Sequence, residues 1–217
     1  MSRLNKALII ILTILIFDQI LKVWIKTNMT LGEEFHIFGN WFIIHFTENP
    51  GMAFGVELGG EYGKMALSIF RIIAISAIGY YIFYLDKRNS PTGLILSISL
   101  IFAGAFGNIL DSAFYGIIFN ESYHNVATLF PEDGGYSGFL HGKVVDMFYF
   151  PIIKGHYPAW FPFWKNEAFI FFRPVFNVAD SAITVGVAFI ILFQKKFFTK
   201  DESNNEREAE IIHAESD

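Results

Sequence analysis

Apolar residues gather into four long runs, separated by stretches where polar, aromatic and turn-forming residues mix. The runs cover residues 7–25 (ALIIILTILIFDQILKVWI), 65–85 (MALSIFRIIAISAIGYYIFYL), 93–110 (GLILSISLIFAGAFGNIL) and 174–193 (PVFNVADSAITVGVAFIILF). Each matches the roughly 17–25 residues that a helix needs to cross a hydrocarbon core, and the pattern predicts four transmembrane helices. Between the first two lies FTENPGMAFG, residues 46–55, which resembles neither neighbour. Asn49, Pro50, Gly51 and Gly55 break helices and supply turns. The first run follows Arg3 and Lys6, as a secretory signal would. It continues past Asp18 and Lys22 with no small-residue cleavage site behind it, which favours an uncleaved first helix.

Basic residues in short flanks orient spanning helices, with the richer side in the cytoplasm. Arg3 and Lys6 precede the first run, Lys87 and Arg88 separate the second and third, and Lys195, Lys196 and Lys200 follow the fourth. With four spans these regions share one side, so both termini are expected in the cytoplasm. FTENPGMAFG and residues 111–173 are then expected on the outer face.

Composition agrees with a membrane protein: 53% of residues are hydrophobic, 26 are Phe and only 17% are charged. The net charge of −5 misleads, because residues 201–217 hold seven acids and one Arg, leaving the remainder at +1. That tail reads as a solvated cytoplasmic end behind one compact membrane domain, residues 1–200. No basic stripe with interleaved aromatics points to nucleic acid. The chain has no cysteine, which removes disulfides, a thiol nucleophile and cysteine-ligated metal from consideration.

A charge near the middle of a spanning helix costs about 2.5–3.5 kcal/mol, so each one is a functional candidate. Asp18 and Lys22 stand four apart on the first helix and share a face. Arg71 lies in the first third of the second. Asn108 and Asp111 close the third, and Asn177 and Asp180 open the fourth. By the orientation above, the three polar pairs meet at similar depth near the outer surface, with Asp146 nearby in HGKVVDMFYF. Two carboxylates sharing a buried site cannot both ionise easily, so they hold one proton between them. Such a pair serves as base and acid together and can hydrolyse a peptide bond. On position alone Asp111 and Asp180 are favoured, since both sit on helices. The six histidines show no zinc-protease spacing, and none falls within the four runs to partner a serine. An ion-coupled transporter or a peptide-binding scaffold could also use buried acids, although four spans without repeats are few for a transporter.

Five motifs in order resemble lipoprotein signal peptidase, also called signal peptidase II, an aspartic peptidase family of bacterial membranes. FDQILK resembles the family's D-x-x-x-K; NPGMAFG resembles N-x-G-x-A-F; GAFGNILDS resembles G-G-A-x-G-N-x-x-D-R; KVVDMF resembles V-V-D-F; and FNVADSAITVG resembles F-N-x-A-D-x-x-I. The likeness runs from about residue 8 to residue 195. It implies an all-α membrane protein of four transmembrane helices, with a small extracytoplasmic β-sheet cradle and an interfacial segment. It implies residence in the bacterial inner membrane. The activity implied is removal of the signal peptide from diacylglyceryl-modified prolipoproteins, cut before the lipid-bearing cysteine. Asp146 and Asp180 are then the catalytic residues. Asn49, Gly51, Asn108, Asp111, Asn177, Asp18 and Lys22 support the site or bind substrate. No metal or organic cofactor is implied. A monomer in contact with membrane lipid is expected, sensitive to globomycin-type inhibitors.

The chain departs from the family pattern twice. Ser112 replaces the Arg beside Asp111, and Lys143 or Arg173 could supply the missing charge. Residues 115–143 stand where the family has a short turn, and read either as a lid or as an insertion without catalytic part. Trp160 and Trp164, in the long stretch after Asp146, suit the lipid headgroup region. An interfacial segment is expected there, with a short helix as one form. Gly51, Ala53 and Gly55 would keep the cradle open to an extended substrate, with Asn49 offering both donor and acceptor.

Overall fold

The structure, a computed structural model, describes residues 1–50, 60–151, 153–156, 158, 160, 167–171 and 174–198. Gly51, Ala53, Gly55, Trp164, Arg173 and the acidic tail lie outside the described residues. Four long helices carry the architecture: α1 (Arg3–Asn28), α2 (Gly60–Lys87), α3 (Thr92–Leu110) and, last in the chain, α5 (Val178–Leu192). Beyond Leu110, α3 widens into a π-helical turn, Asp111–Tyr115, and ends in a short turn α4 (Gly116–Ile118). Three segments are long and apolar enough to cross a membrane: Arg3–Asn28, Met65–Lys87 and Thr92–Ile118.

The polarity of α1 is inverted relative to a soluble helix. Leu8, Leu12, Ile16, Phe17, Ile20 and Trp24 are exposed, while Asp18, Lys22 and Lys26 are fully buried. A hydrocarbon solvent dictates this arrangement, because the apolar face can meet lipid and each charge needs a protein partner. At the centre, α3 packs on α1, α2 and α5. Small residues set the closeness of the crossings. A Cβ built on Gly104 would collide with the Ala179 carbonyl of α5, and one on Gly107 would come within 2.9 Å of Asp18 Oδ2 on α1.

One end of the bundle gathers all three basic regions. The Arg3 guanidinium donates to Ser90 O and Asn89 Oδ1 in the α2–α3 turn at 3.2 and 2.6 Å and pairs with Asp86 at 3.2 Å. Phe197, after α5, is buried in the same cluster as Ala7, Leu85 and Leu94.

A four-stranded antiparallel sheet stands at the opposite end, in the order β1 (Glu34–Phe38), β2 (Phe42–Asn49), β3 (Val144–Tyr149) and β6 (Val175–Phe176). The register of β2 on β3 sets Thr47 opposite Asp146 and Asn49 opposite Val144. A second pair, β4 (Ile153–His156) with β5 (Ala168–Phe171), forms an antiparallel ribbon. Among the described residues, the stretch after Asp146 is therefore extended rather than helical, and Trp160 is exposed. Runs such as AFIF carry the aromatic and β-branched residues that favour strands.

The fourth apolar run is not helical throughout. Val175 and Phe176 pair with β3, and the helix begins only at Val178. Asn177 stops it from starting earlier: its side chain accepts from Asp180 N while the Asp180 carboxylate accepts from Asn177 N, a closed capping box.

Residues 115–143 fold onto the base of the sheet. Tyr115, Phe119 and Ala127 share a buried core with Ile25, Met29, Phe46, Val145 and Met147. Lys26 at the end of α1 is held beneath this segment, paired with Glu48 and donating to Ser122 Oγ at 2.9 Å. Its ammonium lies 5.2 and 5.1 Å from the ring centres of Phe119 and Tyr136.

Candidate active site

Asp18, Lys22, Asn108, Asp111, Asn177, Asp180 and Asp146 converge where the bundle meets the sheet. Lys22 is the hub. Its ammonium, fully buried, lies 2.8 Å from Asp18 Oδ2 and 2.8 Å from Asp111 Oδ2, and donates to Asn108 Oδ1 at 3.0 Å. Asp18 uses its other oxygen to accept from Ala179 N at 2.9 Å. That contact sets a negative charge against the first turn of α5, where the helix dipole favours it.

Asp111 is saturated. Besides Lys22 it accepts from Gln19 Nε2 at 2.8 Å and from Val145 N at 3.3 Å, the latter joining α3 to the strand of Asp146. Tyr115 donates to Gln19 Oε1 at 3.1 Å and steadies it. Lys22 therefore supplies the charge partner that Ser112 cannot, and Ser112 donates to Asn108 O within its own helix at 3.1 Å. Lys143 does not take that part: it pairs with Glu48 at 3.4 Å and Glu121 at 3.3 Å. Arg173 lies outside the described residues.

The two asparagines tie Asp146 to Asp180. Asn177 Nδ2 donates to Asp146 Oδ1 at 2.8 Å and Val145 O at 3.2 Å. Asn177 Oδ1 accepts from Asp180 N at 2.8 Å, and Asn177 N donates to Asp180 Oδ2 at 3.3 Å. From α3, Asn108 Nδ2 donates to Asp180 Oδ1 at 2.8 Å. Both oxygens of Asp180 thus receive donors. Burial, followed by the charge of Asp180, pushes the Asp146 carboxyl up to about 7; Lys22 and the Asn177 bond offset this only in part. Near neutral pH one carboxyl of the pair can hold a proton while the other is charged.

Asn49 ends β2 two positions along the ladder from the Asp146 pairing, while Gly51 lies outside the described residues. Gln19 and the Lys26–Glu48 pair were not singled out from sequence. Gln19, a polar side chain next to Asp18 inside an apolar run, was the available signal. Among the described residues, no group of three or more His, Asp or Glu side chains is arranged to hold a metal ion.

Comparison with known proteins shows the family. The family model described as "Signal peptidase (SPase) II" matches residues 10–196. The chain belongs to the signal peptidase II family. It is 49% identical over 196 residues to a lipoprotein signal peptidase of Porphyromonas gingivalis, covering 88% of this chain and 85% of that protein. It is 42% identical over 187 residues to one of Amoebophilus asiaticus, covering 84% and 75%. A solved bacterial membrane enzyme superposes with a TM-score of 0.56 at 26% identity, covering 92% of this chain and 91% of that one. As a signal peptidase II, the chain is a membrane hydrolase of bacteria.

Proposed function

We propose that this signal peptidase II removes the signal peptide from diacylglyceryl-modified prolipoproteins, cutting before the lipid-bearing cysteine, with Asp146 and Asp180 as its catalytic pair. The observation that carries the assignment is the Asn177 bridge. One side chain bonds Asp146 and caps the turn that holds Asp180, whereas Asp111 is consumed by Lys22, Gln19 and the β3 backbone. The ionised carboxylate takes a proton from water as the oxygen attacks the scissile carbonyl carbon. The protonated partner gives its proton to the carbonyl oxygen. Collapse of the tetrahedral intermediate returns that proton to its aspartate and delivers the water proton to the leaving nitrogen, breaking the C–N bond. Both proton transfers belong to carboxyl groups, so the reaction is written without a metal or organic cofactor.

Asn108 and Asn177 orient the pair, while Asp18, Lys22 and Asp111 brace it. Asn49, at the end of β2, contacts the extended signal peptide, and Gly51 is a further substrate-binding residue. The spread of apolar side chains on the helix exteriors supports contact with membrane lipid and with the substrate's acyl chains. In this reading α5 is the fourth span. Its 15 residues are about 22 Å long, and residues 194–198 add a further helical turn. Residues 1–200 form the membrane domain and 201–217 an acidic tail. Both termini face the cytoplasm and the aspartates face outward, in a monomer that globomycin-type inhibitors block. The transporter and scaffold alternatives have no observation in their favour beyond the buried acids.

Cleavage of a purified diacylglyceryl prolipoprotein by wild type, Asp146→Asn, Asp180→Asn and Asp111→Asn tests the assignment. The first two variants are expected to lose at least about a hundredfold, and the third to be only weakened. An inactive Asp111→Asn beside an active Asp146→Asn would move the pair onto the helices.

A further inference from the structure

Arg71 is an intramembrane cation that the mechanism above does not use. It lies on α2 and lines a cavity of about 290 Å³ between α2, α3 and α5. The polar residues of that lining are Arg71, Asn108 and Asp180; Ile75, Ile78 and Ile183 are among the apolar ones. Arg71 therefore faces the same space as a catalytic carboxylate, from a helix that contributes nothing else polar to the cavity. Its charge and that of Asp180 attract across the site.

The two aspartates are unequally placed. Asp180 accepts from Asn108 Nδ2 and Asn177 N, one on each oxygen. Asp146 is 5% exposed and accepts from Asn177 Nδ2 on one oxygen. The other charges nearby do not reverse this inequality. Lys22 from α1 is held by Asp18 and Asp111 and donates to Asn108; its charge pulls Asp146 down only in part. On β2, Thr47 stands opposite Asp146, and the neighbouring Glu48 is paired with Lys26. Position 112 offers a hydroxyl turned onto its own helix.

Building on the catalytic pair assigned above, we propose that Arg71 is a positioning residue: from α2 it fixes the negative charge of the pair on Asp180 and leaves the proton on Asp146. Asp180 is then the base that takes the water proton, and Asp146 the acid that protonates the scissile carbonyl. The elevated titration of Asp146 fits this division. A cation in the membrane interior, otherwise costly, is retained because it stabilises the one charge that hydrolysis requires.

The test is the pH profile of kcat/KM for the full-length enzyme in detergent, with a diacylglyceryl prolipopeptide, for wild type, Arg71→Lys and Arg71→Gln. Loss of the charge is expected to move the acid limb of R71Q upward by about one pH unit or more with KM little changed, while R71K keeps the wild-type limb. An unmoved limb in R71Q, or an R71K limb displaced like that of R71Q, would overturn the role. Should R71Q fail to fold, infrared spectra of wild type, D146N and D180N at neutral pH decide. A protonated-carboxyl band lost in D146N and kept in D180N supports the proposal; the reverse pattern refutes it. Cleavage persisting in D146N or D180N would instead sink the catalytic reading beneath it.

Discussion

Lys22 is one cation among two carboxylates, all shut away from solvent, and a half-buried amide oxygen. Replacing a buried ion-pair member leaves the remaining charges uncompensated, at a cost of about 3–5 kcal/mol. Lys22→Met is therefore expected to melt well below wild type in a detergent thermal scan, and adding Asp18→Asn should recover part of the loss. Asp146 predicts the opposite sign. Its folded-state titration near 7 lies above the ordinary carboxylate range, so the folded chain holds a proton that the unfolded chain has released. Stability consequently falls as pH rises from about 4 through 7. Asp146→Asn removes that penalty: the variant should melt several degrees above wild type at pH 8, with the gap shrinking toward pH 4. At this scale the sequence was informative about which residues matter and less so about which belong together. Charges in apolar runs stand out by cost alone. That Lys22 pairs with Asp111 across two helices, and that Asn177 rather than a helix face links Asp146 to Asp180, depends on packing that no local spacing encodes.

At the scale of elements, the π-helical turn at Asp111 and the capping box at Asn177 bring side chains from α3, α5 and β3 to one point. Apolarity throughout the fourth run predicts a helix from Pro174, but two of its residues are needed to close the sheet. The three longer helices were legible because lipid imposes length and apolarity on them directly. The close approach of α3 to α5 rests on Gly104, whose hydrogen faces the Ala179 carbonyl. Gly104→Val must push the helices apart. It is expected to destabilise by about 1–3 kcal/mol, and to reduce cleavage beyond what thermal loss explains, since Asn108 and Asp180 face each other one turn away. Equal kcat in the variant and wild type at a temperature where both are folded would refute that coupling.

Across the whole molecule, charge and geometry give one polarity. Arg3, the α2–α3 turn and Phe197 share one end of the bundle, and the aspartates with the sheet share the other. The insertion 115–143, which sequence left open between lid and appendage, is tied down through Lys26, Glu48 and Ser122 into the core under the sheet. It packs beneath the sheet, at the end of the bundle that holds Asp146. The absence of native cysteine makes the orientation directly measurable. Single-cysteine variants at two exposed positions, Lys87→Cys beside the α2–α3 turn and Glu132→Cys in the insertion, report on opposite ends. In spheroplasts, a membrane-impermeant maleimide is expected to label the Glu132 variant at once and the Lys87 variant only after lysis. Labelling in the reverse order would place the basic end outside. It would also put the aspartates on the cytoplasmic side, away from lipoproteins emerging on the outer face.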